Sequence, residues 1–423
     1  MSTIGTGDRI PHCPVSETIT TNTAEGEQMT SPTGGFEFDH LSPGWNDTTL
    51  WDAYERLLSA GAATYSPLHG GYWIISRYSE VKKALRDHET FSSASGHRIP
   101  MVDGMSSIPI DYDPPVHTHY RSLLTRALTP DSIRDLQPWL TSMISEVVAA
   151  FYQSGGGDAV AEVALSIPLR VLTKIVGFSP ATVARFRELT EDIWKDGTAE
   201  SQLRGRAALV DALDRDIDEH RARRPDDYLT WLLDAEVDGR PIDIGEIHSV
   251  LLTLAVAGHE TTLNSVSTLL YLLASDLPLQ ERLRADPSVA PRYVEEMLRL
   301  RTPAQMFARR TNRAVDVGDT TIPAGSWVLL LNAAANRDPH QFEHPTAFDI
   351  DRSARGHLAF GWGIHQCVGS ALARSELRIL LETLCQYPPI TLAADPAFTA
   401  IEAGTHFGLR KLPLAFIDAA PRS

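Results

Sequence analysis

The chain has little cysteine. Cys13, Cys367 and Cys385 among 423 residues give neither the even count of a disulfide framework nor paired CxxC zinc spacing. A reducing compartment fits such a set, and the cytoplasm is the expected location. Basic residues are also scarce: 38 Lys and Arg stand against 54 Asp and Glu. The net charge of -16 opposes a nucleic-acid partner, whose phosphates need clustered cations. No positively charged start leads into an apolar core, so residues 1–35, rich in Thr, Ser, Gly and Glu, read as a flexible polar tail rather than a signal peptide or membrane anchor. Uninterrupted hydrophobic runs of membrane length are missing too. The best candidate, Val250 to Ala274, carries His259, Glu260, Thr261, Thr262 and Asn264 at its middle. Charge at a bilayer centre costs about 2.5 kcal/mol or more, so a buried helix with a polar notch explains the run.

What is present is ordinary for a globular protein, with 43% hydrophobic and 22% charged residues. Helical spacing marks Thr49 to Ala60, Tyr78 to His88 and much of Asp131 to Leu273, as in Ile133, Leu136, Leu140, Ile144 and Val148. Turn signals fall at Ser154 to Gly157, Arg224 to Asp227 and Asp238 to Pro241. Short strands are expected at Gly71 to Ser76, Phe307 to Val317, Ser326 to Leu331 and within Ile390 to Phe416, with a helix over Val368 to Tyr387. The fold class is therefore α+β, predominantly α, without the strand–helix alternation of a doubly wound sheet.

The most informative stretch runs from His357 to Gly369. Two glycines, Gly361 and Gly363, permit tight turns and close approach of a flat ligand before Cys367. The helical run after Gly369 places the sulfur at a helix N-terminus, which favours thiolate. A second stretch, Ala257-Gly258-His259-Glu260-Thr261-Thr262, lies inside a helix expected over Asp243 to Ser275. Glycine in a helix interior costs roughly 0.5–1 kcal/mol, so Gly258 needs a reason, such as a ligand against the backbone or a bulge. His259-Glu260 lacks the second histidine of a zincin, since position 263 is Leu.

The pattern Phe360-xx-Gly363-x-His365-x-Cys367-x-Gly369 resembles the haem-binding loop of cytochrome P-450 proteins. The resemblance implies Cys367 as the metal ligand of heme b, Phe360 in the haem loop, and His365 as a donor to a haem propionate. It implies Ala257 and Gly258 against the haem, with Thr261 and Glu260 as the catalytic alcohol and acid that deliver the two protons oxygen activation consumes. Glu296 and Arg299 resemble the family's ExxR pair, with Arg352 as its third member. Asp113 to Arg121 resembles the DPPxHxxxR segment, which makes His117 and Arg121 propionate contacts; Arg309 would be another, with Arg310 directly after it as the alternative.

By the same resemblance, residues 36–423 form one triangular, helix-rich haem domain with small β-sheets. The activity would be monooxygenation of a small, mainly apolar molecule, by a monomer, with electrons from NAD(P)H through a separate ferredoxin or flavoprotein. That partner would dock on a basic patch of Arg126, Arg352, Arg355 and Arg374. The substrate pocket would take the loop from Arg98 to Ser107, Leu251, Leu254, Ala257, residues Ala304 to Phe307, and His406-Phe407, with Arg98, Gln305 and His406 as polar anchors. Two rival readings are a peroxide-driven or coupling haem-thiolate enzyme and a non-enzymatic haem sensor.

Overall fold

The computed structural model describes residues 37–101, 107–183, 185–186, 199–399 and 405–417; the expected polar tail lies outside them. Helices dominate. The longest, Ile244–Ala274, begins where the Asp243 carboxylate accepts the Glu246 N–H and the Glu246 carboxylate accepts the Asp243 N–H, a reciprocal cap that satisfies two otherwise orphaned donors. Arg240 and the Tyr120 hydroxyl donate to the same Glu246 carboxylate, fixing the first turn to the rest of the molecule. Val250, Leu251, Ala255, Val266, Leu269 and Leu270 are all buried, as in a helix that runs through a core and not along its surface. That explains the hydropathy of the run. Among the described residues no helix is long and apolar enough to cross a membrane.

The helix that follows Cys367, Ser370–Leu384, packs on Pro130–Gln153 and on Ala290–Leu300. Leu140, Ile144, Met297, Leu377 and Leu380 share one apolar cluster with Val266 and Leu270 of the long helix. Burying a side chain of this size contributes about 1.5–3 kcal/mol, so this cluster ties the cysteine side of the molecule to the long helix.

Five strands form the main sheet in the order Ala63–Ser66, Tyr72–Ile75, Trp327–Leu330, Phe307–Thr311 and Phe91–Ser92; the second and third are parallel and the other neighbours antiparallel. A smaller sheet places Pro413–Phe416 between Ile390–Leu392 and Gly156–Asp158. The glycines expected to form only a turn thus also start a strand. Gly156 has φ +105°, and a Cβ there would stand 2.2 Å from the Leu414 carbonyl oxygen, so only glycine lets the two backbones meet.

Glu296 and Arg299 lie one turn apart in Ala290–Leu300 with both side chains at 0% exposure. Arg299 Nε and Nη2 donate to the two Glu296 carboxylate oxygens at 2.8 and 2.7 Å. The remaining donors reach the carbonyls of Asn336 and Pro345 at 2.8 Å and of Ala347 at 3.2 Å. Arg352 Nε completes the group at 3.2 Å from Glu296 Oε1. Far from being an ordinary surface pair, this is a buried hub that grips the irregular chain leading to the cysteine loop.

Candidate active site

The cysteine loop is shaped by its own backbone. Gly361 and Gly363 both have positive φ, and a Cβ on Gly363 would collide with the Leu85 carbonyl oxygen at 2.3 Å. The Cys367 N–H donates to the Phe360 carbonyl at 2.8 Å, closing the loop, and Arg374 places its guanidinium 4.3 Å from the Phe360 ring centre. Cys367 is exposed by area although protein surrounds it, so its surface opens on an internal cleft. Burial pushes the thiol up, against the Gly369 N–H and the charges of Arg121 and Arg374. The Gly369 N–H at the start of the following helix favours the thiolate as expected from sequence, and a coordinating metal cation would deprotonate the sulfur outright.

Beside the sulfur stands a wall of nitrogen bases. The His117 and His365 rings meet edge to face at 4.5 Å, His365 Nε2 lies 3.0 Å from the Ser93 hydroxyl, and Arg121 Nη2 donates to the Gln366 carbonyl. Arg309 is buried in its strand, opposite Val328, whereas Arg310 is exposed. Strand alternation thus settles which of the two points inward. Burial first, then the charges of Arg309, His117 and Arg121, pull His365 down to about 2. Burial and Arg121 pull His117 to about 4, partly offset by Asp113. Arg309 is lowered by burial to about 10, offset by Asp111 and Asp113. Both acids are already engaged, Asp113 by Ser92 and Ser93 and Asp111 by His97 and the Ser107 N–H. His117 Nε2 is buried with no hydrogen-bond partner. A partly buried dianionic group fits this wall, because charge-assisted bonds would answer both the orphaned nitrogen of His117 and the charges of Arg121 and Arg309.

The long helix carries one window. Ala257 is exposed, and Val256, Gly258, Glu260 and Thr261 are half-buried, in a helix whose preceding run, Val250 to Ala255, is buried throughout. Thr261 Oγ1 donates to the Ala257 carbonyl at 2.7 Å, one turn back. Glu260 Oε2 is 3.7 Å from His406 Nδ1; burial holds the Arg98 guanidinium at about 10, partly offset by Asp111 and then Glu260. Gly258 packs closely on Leu172: a Cβ there would come within 3.2 Å of Leu172 Cδ2. No local bulge is needed.

Several expected positions move. Gln305 is fully buried; its amide accepts from the Tyr54 hydroxyl at 3.0 Å and donates to the Thr302 carbonyl, so it is a core residue and not a polar anchor. Phe407 likewise packs against Trp51 and Phe398 in the core. Leu254 is buried and belongs to the same apolar cluster as Leu251, Val250 and Phe178. His406 and Arg98 stay half-buried near Glu260, while residues 102–106 of the expected pocket loop lie outside the described ones. The basic patch shrinks: Arg352 belongs to the Glu296 hub, and Arg374 makes two bonds to Glu295 at 2.6 and 3.1 Å. Burial raises the Glu295 carboxyl, but His357 and Arg374 outweigh it and hold it near 2. Arg355 remains exposed, and Arg126 lies over the Trp231 ring at 5.0 Å.

Comparison with known proteins agrees with this geometry. The family cytochrome P-450 matches residues 182–387. Cytochrome P-450 107B1 of Saccharopolyspora erythraea is 34% identical over 362 residues, covering 81% of this chain and 88% of that one. The beta-dihydromenaquinone-9 omega-hydroxylase of Mycobacterium tuberculosis is 34% identical over 380 residues, covering 87% and 76%. The structure of Mycobacterium marinum cytochrome P-450 CYP268A2 in complex with pseudoionone superposes with a TM-score of 0.82 at 26% identity, covering 91% of this chain and all of that one. With the cysteine loop beside His117, Arg121, Arg309 and His365 in a fold these relatives share, the chain belongs to the cytochrome P-450 family of monooxygenases.

Proposed function

We propose that residues 36–423 act as a single haem domain that inserts one oxygen atom of O₂ into a small, mainly apolar organic molecule, using NAD(P)H electrons delivered by a separate ferredoxin or flavoprotein. The observation that carries the reading is the accessible Cys367 sulfur beside a buried wall of His117, Arg121, Arg309 and His365 with an orphaned nitrogen. Heme b held there, with the Cys367 sulfur as its thiolate ligand, would supply reductive oxygen activation.

The chain's own residues do the rest. His117, Arg121, Arg309 and His365 bind and orient two carboxylates. Ala257 and Gly258 offer a smooth helix face with no side chain beyond Cβ. Thr261 holds a proton at Oγ1 and keeps acceptor capacity on that oxygen. Glu260, facing His406 and Arg98, is the acid that can resupply it. The apolar surroundings of the long helix exclude water and favour apolar ligands. A relative named for omega-hydroxylation and a neighbour holding pseudoionone support an extended apolar substrate.

The test is the absorption spectrum of the reduced protein under carbon monoxide beside that of a Cys367→Ser variant. A strongly red-shifted Soret band in the parent alone supports the assignment; a histidine-type band in both refutes it.

A further inference from the structure

Far in sequence from the cysteine loop, three metal-binding side chains meet. Asp39, His40 and His69 each bring one ligand atom, and the three atoms lie within 4.8 Å of one another. His69 Nε2 is 2.7 Å from Asp39 Oδ1, and the two imidazoles stand 5.1 Å apart at 77°. Asp39 and His69 are part-exposed, while His40 is buried, so the cluster opens to solvent on one side and rests on the main sheet on the other.

The surroundings prepare His40 as a ligand. Its Nε2 lies 2.6 Å from the Ile99 carbonyl, which can only accept, so Nε2 carries the proton and Nδ1 presents a lone pair. A metal-bound histidine typically donates its other ring N–H to just such a carbonyl. The lone pair now faces the Tyr72 hydroxyl at 3.0 Å. That hydroxyl also lies 2.5 Å from the Phe38 carbonyl and can turn its proton there, so freeing Nδ1 sacrifices no hydrogen bond. Asp39 Oδ1 is steadied by the Leu41 N–H at 3.0 Å. His69 holds its place through a left-handed backbone, φ 51°, next to Gly70 and Gly71.

We infer that Asp39, His40 and His69 form a binding site for a divalent borderline metal, zinc by preference, that clamps the segment around Asp39 to the edge of the main sheet. Two imidazoles and a carboxylate are a donor set zinc accepts at about 2.0–2.2 Å, with donors about 3.3 Å apart around a tetrahedron; shifts of under about 1 Å would close this cluster to that geometry. The fourth position falls to water or to the Tyr72 hydroxyl. A hard cation such as magnesium prefers oxygen ligands and is disfavoured. The site is separate from the haem iron and does not depend on the proposed activity.

The test uses the full-length, untagged holoprotein, stripped with a chelator and titrated with zinc in a calorimeter. Bound zinc is counted by elemental analysis against haem iron, and its ligands are read at the zinc absorption edge, where haem is silent. One zinc per iron is expected, with a thermal midpoint that rises on zinc addition and returns on chelation. Asp39→Asn and His69→Ala, both at part-exposed positions, should weaken zinc binding at least tenfold while melting like the zinc-free parent; His344→Ala, at an exposed pair with Glu343, should leave it intact. Zinc uptake below one-tenth of an equivalent by the parent, or full uptake by His69→Ala, overturns the site.

Discussion

Arg299→Ala tests whether the buried hub organises the cysteine side. The substitution removes two bonds to Glu296 and three to the carbonyls of Asn336, Pro345 and Ala347. It also leaves Glu296 at 0% exposure with only Arg352 and the Asp349 N–H as partners. Breaking a buried ion pair by removing one partner costs about 3–5 kcal/mol, and each carbonyl left dry adds up to about 1–3 kcal/mol unless water enters. Because whole domains are stable by only about 5–15 kcal/mol, most of the folding free energy is at stake. Arg299→Lys keeps the charge but loses the planar fork, and should recover less than half of the loss. Arg292→Ala is the control, since Arg292 is half exposed and pairs with Asp351 at 3.1 Å; exposed pairs contribute about 0–1 kcal/mol. Urea unfolding followed by tryptophan fluorescence, with haem content measured in parallel, reads all three. An Arg299→Ala protein within 1 kcal/mol of the parent and fully loaded with haem would refute the reasoning.

Three further outcomes are expected. Thr261→Ala removes the hydroxyl that donates to Ala257 and should divert electrons from product to peroxide, read as NAD(P)H consumed per product formed; tight coupling in the variant would remove Thr261 from proton delivery. Glu376 is buried with Oε2 unpartnered, and burial pushes its carboxyl up to about 8 from 4.5. The folded chain thus holds a proton that the unfolded chain releases, so stability is complete below 4.5 and declines as pH climbs to about 8. Glu376→Gln should therefore stabilise by a few kcal/mol at pH 8 and by under about 1 kcal/mol at pH 5; equal gains in thermal melts at the two values would contradict this. Gln305→Ala should lower the melting temperature through the lost Tyr54 bond while leaving the spin-state titration of a bound ligand unchanged, since Gln305 is core.

Where local chemistry decides, the sequence was readable. The apolar register placed Thr49–Ala60, and the long helix expected over Asp243 to Ser275 spans Ile244–Ala274. The cysteine loop declared itself through its glycines, of which Gly363 leaves no room for a Cβ. What failed depended on packing between distant segments. The grouping of Glu296, Arg299 and Arg352 was legible by resemblance, but the full burial of the Glu296–Arg299 pair comes only from the tertiary fold. Gln305 and Phe407 lie near the expected pocket in sequence, but which face of a short bridge turns inward is not written in their spacing. Arg374 was read as a free cation because Glu295 reaches it from another helix. Three glycines read as a turn because their strand partner, Pro413–Phe416, is near the other end of the chain. Asp39, His40 and His69 follow no metal-ligand spacing, so nothing short of the fold brings them together.

The parallel pairing of Tyr72–Ile75 with Trp327–Leu330 has a consequence for how the protein is made. The first strand leaves the ribosome with one edge covered by Ala63–Ser66, while its other edge waits for a partner encoded about 250 residues later. At about 5–20 residues per second that delay is roughly ten to fifty seconds, during which an apolar Tyr-Trp-Ile-Ile edge stands open to other nascent chains. Slowed synthesis should lower the yield of soluble chain, and a chaperone that shields extended apolar segments should restore it. The region 182–387, expressed alone, would meet the same hazard permanently, because Trp327–Leu330 would never find its neighbour.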